Sequence, residues 1–293
     1  MVDAKVGFTG GVNIGDAWLP EEEEGGGFRD DAVRIEGPAV RGFVSCFQRT
    51  WRRLRGPALS RTAALLAEPL ASLEPNQAAH VVGGGFYRRR YAIARAYLAR
   101  IYRAQRRVWI ANSYFIPDGN VIRALTRAAR RGVDVRILVP RESDVLITDW
   151  ASRAVWPRLL KHGVRIFEWT DSVLHSKTAV IDGAWSTIGS YNLDYQSLRF
   201  NLEVTLNVLD SSFGGTMEAA FELDFARARE VDLECFSLPL ARGAAAGDAG
   251  VPHPQDSLAG FSAATAAFPR DFAGRRAAWR WPARSMFAKF SRA

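Results

Sequence analysis

Apolar residues recur along the middle of the chain in two alternating rhythms. Between Tyr87 and Gln105 they fall three and four apart, with Ile93, Tyr97 and Ile101 on one face, the spacing of an amphipathic helix. Arg107 to Asn112 (RVWIAN) has the short β-rich run of a buried strand. Pro117-Asp118 starts a second helix that runs to Arg131 and stops at Gly132. Val133–Val139 reads as a strand, Thr148–His162 as a helix ended by Gly163, and Val164–Trp169 as a strand. Two short strands follow, Thr178–Ile181 and Trp185–Ile188, turned at Asp182-Gly183. Asn201–Leu209 is a further strand, and Ser211 to about Glu230 a closing helix. Strands alternating with helices of ten or more residues predict an α/β domain with a parallel or mixed sheet.

The flanks are less regular. Residues 1 to 19 read as a strand, a glycine turn and the start of a helix. Glu21–Gly27 (EEEEGGG) reads as a solvated loop, and Asp31–Val40 as a strand ending at Gly37-Pro38. Arg41–Arg55 is helical, with Val44, Phe47, Trp51 and Leu54 at helical spacing. Gly56–Asn76 has no clear period and is taken as a connector. Gly243–Gly250 is low in complexity. Phe268–Ala293 carries seven Lys or Arg against Asp271 alone, interleaved with Phe272, Trp279, Trp281, Phe287 and Phe290. That composition suits either a flexible basic tail or a segment lying on an anionic membrane.

A net charge of +8 favours an anionic partner: a phospholipid surface, nucleic acid or a phosphorylated small molecule. Arginine dominates the basic residues, which an arginine-rich genome also produces. Cys46 and Cys235 lie far apart and form neither metal nor disulfide spacing, as expected of free thiols in a reducing compartment. His80, His162 and His253 have no partners at ligand spacing, so no metal site is expected. No apolar run reaches the 18 residues of a membrane span, and nothing reads as a signal peptide.

The chemistry concentrates in residues 174–203, LHSKTAVIDGAWSTIGSYNLDYQSLRFNLE. Strand alternation sets His175 and Lys177 on one face. Gly189 is expected to let backbone approach an anion, with Ser190 and Asn192 as added donors. A cation, a titratable imidazole and neutral donors at one point suit a phosphate ester under nucleophilic attack. Asp182 is expected to orient Lys177 and the turn. Tyr114 and Phe115 read either as core or as lining for an acyl or headgroup pocket. Arg49, Arg52, Arg53 and Arg55 read either as lipid-phosphate contacts or as a solvated helix face.

The chain also repeats itself. Sliding it by 179 places Asp3 on Asp182, Gly10 on Gly189, Gly11 on Ser190, Asn13 on Asn192 and Leu19 on Leu198. The counterparts of His175 and Lys177 then fall five and three residues before Met1.

The pattern His-x-Lys-x4-Asp-x6-Gly-Ser-x-Asn, carried by His175, Lys177, Asp182, Gly189, Ser190 and Asn192, resembles the phospholipase D superfamily. FTGGVNIGD, VRIEGPAV and NSYFIPD are similar to segments of bacterial cardiolipin synthases without transmembrane anchors. The resemblance implies a phospholipase D-like fold of two pseudo-repeated α/β halves, the first incomplete. It divides the chain into a first-half remnant (1–55), a connector (56–79), a second half with the intact motif in 170–197 (80–235), and a basic tail (236–293). It also implies phosphatidyl transfer through a phosphohistidine, without metal or cofactor. One histidine attacks phosphorus, while lysines and asparagines, here including Asn13, steady the phosphorane oxygens. His175 takes the general acid/base role, and Glu203 holds its other ring nitrogen. Asp3, Gly10 and Gly11 are then the remains of the first motif, and Ala32 departs from the histidine often found there.

The expected substrate is phosphatidylglycerol at the cytoplasmic face of the inner membrane, and the expected product cardiolipin. Two rivals stand beside this reading. One is a nucleic-acid phosphodiesterase of the same superfamily. The other is a catalytically impaired fragment or lipid-binding remnant with exposed sheet edges and poor solubility. The missing His-x-Lys would come from upstream sequence, if translation starts earlier than Met1, or from a dimer partner.

Overall fold

A computed structural model describes residues 1–54, 78–84, 90–143, 145–234 and 288–289. The connector from 56 to 76, the start of the helix expected at Tyr87, Arg55, Cys235, His253 and nearly all of the tail lie outside these residues.

The chain opens with β1 (Val6–Gly10) and β2 (Ala32–Glu36), an antiparallel pair joined by the two-residue β11 (Ala288–Lys289) on the far side of β2. Helix α1 (Val40–Arg53) follows. The larger unit then runs β3 (Ala78–Gly83), α2 (Ala92–Arg103), β4 (Arg107–Asn112), α3 (Gly119–Arg130), β5 (Asp134–Pro140), α4 (Leu146–Leu160) and β6 (Arg165–Trp169). It continues through β7 (Lys177–Ile181), β8 (Trp185–Gly189), α5 (Tyr195–Arg199), β9 (Val204–Leu209), α6 (Ser211–Arg227) and β10 (Arg229–Glu230). Its eight strands lie in the order β10-β6-β5-β4-β7-β8-β9-β3. β4, β5 and β6 are parallel to one another, and the remaining pairings are antiparallel. The expected mixed α/β sheet is therefore observed.

Alternation explains the layers. Along β4, Val108 and Ile110 pack into the cluster built with α2, α3 and α4, while Trp109 and Ala111 join the cluster under α1 and α6. Helix ends follow their caps. Asp118 accepts from the backbone N–H groups of Asn120 and Val121 to start α3, and Asp210 accepts from Phe213 to start α6. Gly132 and Gly163, at φ +87° and +83°, end α3 and α4 in the left-handed conformation.

Two expectations change. β3, an edge strand paired with β9, was not foreseen, and its first two residues fall in the expected connector. Helix α1 is rotated from the face that its apolar spacing suggested. It buries Val40, Val44 and Gln48, while Phe47 and Leu54 are exposed. Val40 joins the core cluster that includes Val33, Ile35 and Val81, Val44 is buried, and the helix also passes close to β3, where a Cβ at Gly42 would meet Val81.

The internal repeat is visible in the backbone. The antiparallel bridge Val2–Val6 matches Ile181–Trp185. Asp3 and Ala4 share the positive φ of Asp182 and Gly183. Gly10 pairs with Ala32 as Gly189 pairs with Thr205. Val40, Val44 and Gln48 of α1 correspond to the buried Phe213, Met217 and Phe221 of α6.

Strand directions bring the C-terminal ends of β4, β5 and β6, the start of β7 and the end of β8 to one edge of the sheet. Ligands bind at this edge in open α/β sheets. Asp182 is at the other end of β7, about 16 Å from the Lys177 end at ~3.3 Å per residue. Its carboxylate accepts from the backbone N–H groups of Gln105, Arg106 and Arg107 at 2.9, 2.8 and 3.0 Å. Asp182 thus makes the turn and anchors the start of β4, but it does not orient Lys177. This corrects both its expected catalytic place and its expected tie to the lysine.

Burial opposes the charge of Asp182, but the three backbone donors and Arg106 outweigh it and hold its pKa below the ordinary value. A depressed folded-state pKa contributes stability above the unfolded pKa, and that contribution is lost as pH falls through the folded one. Asp182→Asn is therefore expected to cost about 1–3 kcal/mol at pH 7. Urea denaturation should show the gap narrowing towards pH 3. A gap independent of pH would overturn the electrostatic account.

Candidate active site

His175 lies just before β7, in a segment laced to the loop that leads into β2. Arg29 N–H donates to the Val173 carbonyl (2.9 Å) and His175 N–H to the Arg29 carbonyl (2.8 Å). This lacing brings Asp30 to the imidazole. His175 Nδ1 donates to Asp30 Oδ2 at 2.8 Å, and the Asp30 side chain is 1% exposed. Asp30 Oδ2 also accepts from Trp18 Nε1 (2.9 Å), and Oδ1 from the Asp31 backbone N–H (2.8 Å). A carboxylate only accepts, so Nδ1 carries a proton, and in the neutral imidazole Nε2 is the nitrogen with the lone pair. Nε2 has no hydrogen-bond partner among the described residues. Trp18 and Tyr114 stand edge-on to the imidazole at 5.2 and 6.3 Å, with Phe28 at 6.4 Å.

Lys177 is buried. Its Nζ donates to Ser113 Oγ (2.8 Å) and to the His175 carbonyl (2.6 Å), 5.9 Å from the Tyr114 ring centre. The expected convergence of His175 and Lys177 is thus observed, and Ser113 from the end of β4 is added to it. Of the two aromatic residues after β4, Tyr114 faces the site and Phe115 is core.

An ion network fastens the two halves beneath His175. Arg29 pairs with Asp31 and with Asp224 of α6, each at 2.7 Å, and Asp31 also accepts from Ser176 Oγ at 2.5 Å. Burial disfavours the Arg29 charge, but Asp31 and Asp224 outweigh it and push its pKa above the ordinary arginine value.

Glu203 is not the partner of His175. It accepts from Ser190 Oγ, Ser197 Oγ (2.9 Å) and Asn201 Nδ2 (3.1 Å). The physical reason lies in the repeat. Since Ala32 corresponds to Thr205, Asp30 corresponds to Glu203; Asp30 reaches His175 of the other half, while Glu203 is held by Ser190, Ser197 and Asn201 of its own. Ser190 Oγ is engaged by Glu203 and by the Val204 N–H, so it does not stand free as a phosphate donor. Asn192 is buried, and its Oδ1 lacks a hydrogen-bond partner within the described chain. Asn13 is exposed and makes no hydrogen bond to the site, and Asp3 sits in an exposed turn.

Gly10 and Gly189 serve strand pairing rather than anion approach. A Cβ at either would collide with the partner strand, at Ala32 or Thr205. Gly11 is different, because its Cβ would overlap the Asp30 carboxylate and lie 2.6 Å from the His175 carbonyl.

Sequence reasoning missed Asp30, Trp18, Ser113 and the Arg29–Asp31–Asp224 network. A signal for Asp30 exists. An acid stands two residues before the glycine's strand partner in both halves, but 22 residues separate Gly10 from Ala32 against 16 between Gly189 and Thr205. A slide at constant offset passes over it.

Residues 97–225 match the family model described as cardiolipin synthase, phospholipase D-like domain. Cardiolipin synthases of Geobacillus sp. (strain WCH70) and Geobacillus thermodenitrificans are 36% and 37% identical over 236 and 232 residues. These alignments cover 80% and 79% of this chain but 47% and 46% of the relatives, so the chain spans about half the length of the curated relatives it matches. A phosphatidylserine synthase from Haemophilus influenzae shares the fold, with a TM-score of 0.57 at 12% identity over 78% of this chain and 61% of that one. Over about four fifths of its length the chain is thus similar to cardiolipin synthases, and its central part to their phospholipase D-like domain.

Asp224→Ala leaves Arg29 partly buried with half its pairing gone. It is expected to cost about 2–4 kcal/mol in chemical denaturation. A loss under about 0.5 kcal/mol would mean that solvent, rather than the ion pair, supports Arg29.

Proposed function

We propose that this chain contributes one catalytic half of a phosphatidyltransferase that makes cardiolipin from phosphatidylglycerol. The observation that carries the proposal is His175, held at Nδ1 by Asp30 with Nε2 unpartnered and the Lys177 ammonium beside it. In this reading a second histidine attacks phosphorus and the P–O bond to the leaving glycerol breaks. His175, entering this step as the imidazolium with protons on both ring nitrogens, donates its Nε2 proton to that alkoxide, then takes the proton of the incoming alcohol at Nε2 as the phosphohistidine is displaced. Lys177 and Asn192 offset charge on the phosphoryl oxygens. The attacking histidine is supplied either by residues that precede Val2 in the repeat or by His175 of a second copy. The division at 1–55, 56–79 and 80–235 follows the same repeat.

The curated relatives named as cardiolipin synthases support lipid over nucleic acid as substrate. A lipid substrate requires the protein to meet a membrane surface, and placement at the cytoplasmic face is part of the same proposal. Among the described residues, no helix is long and apolar enough to cross a membrane.

The test supplies phosphatidylglycerol vesicles and, separately, plasmid DNA to the 293-residue chain and to a version extended in frame by its upstream coding sequence. Mass spectrometry should show cardiolipin and free glycerol. His175→Ala should lower turnover at least about a thousandfold. Nicking of DNA without lipid turnover would overturn the proposal.

A further inference from the structure

We infer that Trp18 is a positioning residue for His175, acting through Asp30, and that the acidic, glycine-rich loop beside it is its mount. The inference rests on His175 being the reacting imidazole. Trp18 touches both members of the pair. Its Nε1–H donates to the same Asp30 oxygen that accepts from His175, and its ring stands edge-on to the imidazole with planes 85° apart. Asp30 therefore receives three donors, shared between both carboxylate oxygens. A carboxylate held at both oxygens cannot rotate away from the imidazole. In the neutral imidazole this keeps the proton on Nδ1 and leaves Nε2 as the nitrogen available for chemistry.

The loop explains itself in these terms. Trp18 ends a short 3-10 turn, Asp16–Trp18, and Glu21–Glu23 forms another. The chain then doubles back on the first turn. Gly26 N–H donates to the Asp16 carbonyl, Gly27 N–H to that of Leu19, and Phe28 N–H to that of Ala17. This return brings Phe28 to 5.2 Å from the Trp18 ring. Glycine is needed for it: a Cβ at Gly25 would collide with Leu19, one at Gly26 would press on Ala17 at 3.0 Å, and Gly27 has φ +59°. Glu21–Gly27 is thus solvated as expected, with Glu21–Glu24 exposed, but its backbone is folded into a bracket.

The test reads the imidazole directly and does not depend on lipid turnover. In the 293-residue chain, ¹⁵N-labelled at histidine and held at a pH where the imidazoles are neutral, His175 should show a protonated Nδ1 and a bare Nε2. The His175→Ala spectrum assigns its signals. Trp18→Phe keeps an aromatic ring and removes the N–H. It should shift the tautomer ratio towards Nε2–H by roughly tenfold, the scale of one charge-assisted hydrogen bond. Trp18→Tyr, whose hydroxyl can again donate to Asp30, should recover part of that shift. Thermal unfolding of each variant reports whether it is folded. A folded Trp18→Phe protein with the wild-type ratio overturns the inference, and equal shifts in both variants reduce Trp18 to packing alone. Failure of lipid turnover with the tautomer shift intact would refute the proposed activity and leave the role of Trp18 standing.

Discussion

The hydrogen bond from His175 to Asp30 joins two parts of the chain that are 145 residues apart, and the site depends on it. An imidazole can act from Nε2 only if its Nδ1 proton has a fixed acceptor. Here the acceptor comes from the other half of the repeat. The arrangement is buried, so Asp30 needs its remaining lone pairs satisfied, and Trp18 and the Asp31 backbone supply those donors. Gly11 has no side chain because the Asp30 carboxylate occupies that space.

The same logic accounts for the ion network below. Arg29 carries the backbone lacing that sets His175 beside Asp30, and its guanidinium reaches Asp31 and Asp224. A partly buried guanidinium is tolerable only with such partners. One residue thus ties the loop before β2 to helix α6, so the position of the imidazole is coupled to the packing of the two halves. Glu203, surrounded by Ser190, Ser197 and Asn201, occupies in its own half the place that Asp30 occupies in the other.

Much of the fold was legible because periodicity reports burial directly. The strands from β4 to β9 and helices α2, α3, α4 and α6 were placed within a few residues, since their apolar spacing matches either a two-sided sheet or a one-sided helix. The structure departed from the sequence reading where packing rather than pattern decides. The facing of α1 follows its packing on the sheet, which buries Gln48 and exposes Phe47, and β3 is an edge strand whose sequence, AAHVVG, alternates too weakly to announce itself. EEEEGGG read as solvent-exposed because its charges are conspicuous, while the backbone bonds that fold it leave no mark in composition.

The sequence by itself determined the mixed α/β class, the internal repeat, and the pairing of His175 with Lys177, because these depend on spacing along a strand. Only the tertiary structure decided which carboxylate orients the imidazole, that Asp182 anchors β4 instead of the lysine, and that Trp18 and Ser113 complete the site. Those contacts are made between segments distant in sequence. Local spacing carries no record of which distant side chain will close a hydrogen bond, and that choice is made by the packing of one half against the other.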